Sequence, residues 1–122
     1  MIMEDIRREQ LEALEALTDY SPRLIKAMKA VTEELKGNRQ PDTDEYLKSI
    51  VDGINWEIEV LNGTMSLMNE KTVKIDKEGA NEIFTEFSTV YQRKDDAGLA
   101  LLLEEKVIPF FEELERIAKS VE

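Results

Sequence analysis

Residues 49–67 read "SIVDGINWEIEVLNGTMSL", and at helical spacing this stretch carries two apolar stripes. Leu47, Val51, Ile54, Ile58, Leu61, Met65 and Met68 recur every three or four residues, the rhythm of a helix face packed on a core. Nearly opposite lie Ser49, Gly53, Trp56, Val60, Gly63 and Leu67, at the same spacing. A surface helix of a small bundle needs one such stripe. The second mixes a very large side chain with small ones. Each glycine within a helix costs up to about 1 kcal/mol relative to alanine, so two glycines on one seam point to close approach by a neighbour.

The rest of the chain is helical in period, without strand-like alternation or repeats. A first helix is expected over about residues 2–36, with Leu14, Leu17, Leu24, Met28, Val31 and Leu35 on one face. At Pro22 there are two options. Ser21 can cap a new helix there, or one helix continues without the bond to the Thr18 carbonyl. The apolar phase crosses the proline, which favours one kinked helix. Gly37 suits a left-handed C-terminal cap and Pro41 stops continuation. A second helix is expected from Asp42–Asp44 to about Asn69. A third is expected from about Lys77 to Arg93, with Asp76 as its N-cap. A fourth is expected from about Asp96 to Val121, kinked or broken at Pro109. Four amphipathic helices with short polar connections describe an all-α, antiparallel four-helix bundle, a single domain over residues 1–122.

Composition narrows the function. The chain has 122 residues, a net charge of −11, and neither cysteine nor histidine. Thiol chemistry, Cys-ligated metals, His-dependent triads and the Glu-x-x-His pattern of di-iron bundles are excluded. Glu33–Glu34, Glu104–Glu105 and Glu112–Glu113 are adjacent pairs that do not share a helix face. No complete calcium loop or glycine-rich phosphate loop is present, and "NGT" at Asn62 falls inside a helix. No cofactor, no metal and no enzymatic activity are therefore expected. So acidic a surface repels phosphates and anionic lipid, so neither nucleic acid nor membrane is expected as a partner. The N-terminus lacks the apolar core of a signal peptide, and no run reaches the length of a membrane span. A cytoplasmic protein is expected. Charge is uneven: residues 41–70 carry seven acidic groups and one basic, and residues 95–122 eight and three. Placing these segments beside the near-neutral ones relieves repulsion.

The fourth helix repeats the two-stripe pattern weakly, with Leu101 and Ile108 one heptad apart on its far side. Two readings of the extra seams compete. Either the second helix is central and touches neighbours on both sides, or the seam is a surface for another chain, a second copy or a partner helix. The second reading makes Gly53, Trp56, Val60, Gly63, Leu67, Leu101 and Ile108 the partner-binding residues, with Trp56 the anchor. Two alternatives have the same architecture. One is an export or assembly chaperone of the flagellar or secretion type, and the other a small-ligand-binding sensor with a pocket near Trp56.

Overall fold

The computed structural model describes residues 3–71 and 74–121. The chain is an all-α helical bundle. Helix α1 spans Met3–Leu35, α2 spans Thr43–Met68 and α3 spans Lys77–Gln92. The last helical stretch has three parts: α4 (Asp96–Leu102), a π-helical turn (Leu103–Val107) and α5 (Ile108–Lys119). Residues 72 and 73 of the "KTVKID" connection lie outside the described residues.

The punctuation follows side-chain chemistry. Gly37 closes α1 in the left-handed region, at φ 115°, where a Cβ is disfavoured. Asp76 accepts from the backbone N–H groups of Glu78 and Gly79, and Asp95 accepts from that of Gly98. These carboxylates satisfy the orphan donors at the starts of α3 and α4. Asn69 pins the chain beyond α2: its Oδ1 accepts from Lys74 and Ile75 N–H, and its Nδ2 donates to the Ile75 carbonyl.

Helix α1 continues through Pro22. Ser21 is therefore not a cap but an interior residue of the helix. Pro109 is also inside helical structure, but a π-helical turn precedes it, with Ile108 N–H bonding five residues back to the Leu103 carbonyl. A regular helix would set the Pro109 ring against the Glu105 carbonyl. The wider turn lies over that residue, and π-type turns are a recognised way for a helix to absorb such a defect.

Helix α1 is the hub, packing on α2, α4, the π-helical turn and α5, while α3 packs on α4 and the π-helical turn. The second helix is thus not the central one. Along α1 and α2 the contacts run in opposite order: Arg7 meets Glu70, Gln10 meets Gly63 and Ser66, and Ser21 meets Glu57. The core gathers Leu17, Leu24, Met28 and Val31 of α1, Ile50, Leu61 and Met68 of α2, and Leu103, Phe111, Leu114 and Ile117. Cross-element ion pairs join near-neutral segments to acidic ones: Arg7–Glu70, Lys29–Glu112, Lys36–Glu104, Arg39–Asp96 and Lys106–Glu86. Each exposed pair contributes at most about 1 kcal/mol, so these bridges settle charge more than they hold the fold. No helix among the described residues is long and apolar enough to cross a membrane.

Candidate interaction surface around Trp56

The second stripe of α2 divides. Gly53 and Leu67 are interior, and Ile108 of the fourth-helix pair is buried as well. These three correct the reading of the seam as one partner surface. Gly53 is where Tyr20 of α1 crosses: a Cβ there would stand 2.2 Å from the Tyr20 hydroxyl and 3.1 Å from Leu24 Cδ1. This glycine serves close approach within the chain. Leu67 is buried, and it borders a small cavity together with Arg7, Glu70, Lys74 and Val121. Ile108 turns inward because the π-helical turn takes more residues per revolution than an α-helix. The heptad that places Leu101 and Ile108 on one face no longer holds across it. Leu101 stays outside at 57% exposure.

What remains exposed lies along the line where α1 meets α2. Trp56 is 38% exposed and stands edge-on to Tyr20, with ring centroids 5.5 Å apart and planes at 89°, a favoured aromatic geometry. The Arg23 guanidinium sits 5.5 Å from the Tyr20 ring centre. A shallow groove opens on each side of Trp56. One is lined by Ala16, Tyr20, Arg23, Ser49, Asp52 and Gly53. The other is lined by Ile6, Glu9, Gln10, Ala13, Glu59, Val60, Gly63 and Thr64. Val60 is half-buried and Gly63 exposed. On α1 the apolar contributors Ile6, Ala13 and Tyr20 are spaced by heptads, so they line one side of the face. Leu101 lines neither groove.

Gly63 differs from Gly53. A Cβ there meets nothing within 4 Å, and its carbonyl accepts from Gln10 Nε2 at 3.1 Å. Gly63→Ala is therefore expected to stabilise the isolated chain by up to about 1 kcal/mol through helix propensity. Thermal melts of the two chains check this; a lower melting temperature for the alanine variant would contradict the open geometry.

Directly beneath the face lies a group that the periodicity reading missed. Glu57 is fully buried. Its Oε1 accepts from Ser21 Oγ at 2.9 Å, and among the described residues its Oε2 has no hydrogen-bond partner. Burial pushes its carboxyl up to about 7; the Ser21 bond pulls it down and the nearby Glu115 charge adds to the rise. The two layers are in register: Tyr20 and Trp56 pair outside, and Ser21 and Glu57, their neighbours in sequence, pair inside. Burial also raises Tyr20, with Glu57 adding to the rise and Arg23 opposing it. Among the described residues no three acidic side chains gather into a metal-binding group.

A family profile described as "Domain of unknown function (DUF8042)" matches residues 12–117. The chain belongs to that family. The matched span takes in Trp56, Tyr20, Ser21 and Glu57, while Ile6, Glu9 and Gln10 of the lower groove precede it. No curated protein and no solved structure matches the chain.

Proposed function

We propose that this chain is a non-enzymatic interaction module that receives an amphipathic helix along the α1–α2 face, on either side of Trp56. The observation that carries this reading is where the exposed apolar mass lies. Of three large hydrophobic side chains left exposed among the described residues, Ile6 and Trp56 lie on this one face. Trp56 lines both grooves, with Ala16 and Gly53 in one and Ala13 and Gly63 in the other, an arrangement suited to helix-in-groove recognition with an aromatic anchor. The chemistry around it argues against catalysis: the chain has no cysteine or histidine, and the one strongly perturbed carboxyl, Glu57, is sealed from the face.

The test is Trp56→Ala, read against helical peptides selected from a displayed library on the wild-type chain. An anchor of this kind contributes about 2 kcal/mol or more, a loss of roughly 30-fold in affinity. Because Trp56 is partly in water, the variant should keep its fold, with a melting temperature lower by only a few degrees. Selected peptides that bind the variant unchanged would contradict the reading, as would a variant that unfolds.

A further inference from the structure

Resting on that reading, we infer that the helix received at the Trp56 face carries a basic rim around its apolar stripe. Four charged side chains line the two grooves: Glu9, Asp52, Glu59 and Arg23. Among the described residues Glu9, Asp52 and Glu59 have no ion pair, whereas Arg23 already has Asp19 at 3.6 Å and the Tyr20 ring beside it. The carboxylates of the core-facing junctions are treated differently: Glu70, Glu86, Glu104, Glu112 and Asp96 each have a cation from another element. Among the described residues other carboxylates, such as Glu12, Glu45 and Glu82, also have no ion pair, but Glu9, Asp52 and Glu59 are the ones that line the grooves beside the exposed apolar anchor. A partner meeting both features offers apolar residues along its middle and lysine or arginine along its edges.

Length and charge together narrow the occupant. From Ile6 to Arg23 the α1 side of the face runs about 25 Å at 1.5 Å per residue, which accommodates a helix of roughly five turns. A second copy of this chain fits the apolar part but not the charge. It would bring the same three carboxylates into the contact, on a chain whose net charge is already −11, and opposed like charges disfavour such pairing. The occupant is a cationic amphipathic helix.

Two designed peptides of one apolar face test this, one rimmed with lysine and one with glutamate, titrated against the full chain while the single tryptophan reports binding. Each exposed ion pair is weak, but three together should favour the lysine-rimmed peptide by about tenfold or more at low salt. That preference should shrink steadily as salt is raised towards the point where the Debye length falls to roughly 3 Å. The variant Glu9→Gln, Asp52→Asn, Glu59→Gln changes exposed side chains only. It should abolish the preference while leaving the tryptophan response to the lysine-rimmed peptide. Equal binding of the two peptides overturns the basic-rim inference and leaves the docking face standing. Self-association that sedimentation shows to depend on Trp56 also overturns the inference, by making a second copy the occupant. Failure of both peptides to alter the tryptophan signal, with the chain monomeric, overturns the inference and the proposed function together.

Discussion

Glu57→Gln is expected to leave stability nearly unchanged near pH 5 and to raise it by up to about 3 kcal/mol near pH 8. The sign follows from the direction of the shift. The carboxyl rises from an ordinary 4.5 to about 7 in the folded chain, so the folded state holds this proton more tightly than the unfolded state does. The associated stability is complete below about 4.5 and is lost as pH climbs through about 7. Above that, the native chain carries a buried carboxylate with one serine bond and one empty oxygen. Glutamine keeps the acceptor for Ser21 and is never charged. Melting curves of both chains across this range should diverge as pH rises, by up to about 10 °C at the alkaline end. The difference between chains is the quantity to read, because Asp96 and Glu113, lowered by hydrogen bonds from Arg39 and Arg116, act in the opposite sense in both. Parallel curves would mean that Glu57 is hydrated or paired in solution.

The second large effect is at Phe111, in the last helical stretch. Phe111 is completely buried. It packs against Phe84 of α3 at 6.1 Å and edge-on to Phe110 at 5.4 Å. Phe111→Ala should destabilise by about 3–5 kcal/mol, the transfer term plus an unfilled cavity. That is a large part of the 5–15 kcal/mol typical of a whole domain. The loss should be uneven. Helix α3 packs mainly on the last helical stretch, through its aromatic cluster. Amide exchange in α3 should therefore accelerate more than in the α1–α2 pair. A uniform acceleration would mean that α3 has stronger anchors than this cluster.

Much of this arrangement was legible in the residues. The face of α1, Gly37 and Asp76 follow from period and capping chemistry. What was not legible has three physical causes. The core seam of α2 centres on Ile50, Ile54, Glu57, Leu61, Thr64 and Met68, all buried. The expected seam shares Ile54, Leu61 and Met68 with it, and departs at Ile50, Glu57 and Thr64, which are buried one residue before the expected Val51, Ile58 and Met65; a buried glutamate and threonine carry no apolar signal. Val51, Ile58 and Met65 are its half-buried edge. The inward turn of Ile108 depends on a π-helical turn, and hydrophobic period read at constant pitch cannot register that change. The burial of Leu67 sets it beside Arg7, Lys74 and Val121, a meeting of distant segments that no local pattern encodes. Trp56, Val60 and Gly63 lie on the outer side of α2 along its junction with α1, where α2 is regular.

The most direct test of the account is the accessibility of Trp56 in the free chain, where it is the single tryptophan. Its emission and its quenching by acrylamide should be measured over a dilution series, with the urea-unfolded chain as the reference for full exposure. The account predicts a tryptophan that acrylamide reaches readily in the folded state, to a degree independent of protein concentration. A blue-shifted emission protected from acrylamide at every dilution would contradict it, because Trp56 would then be core and the α1–α2 face closed.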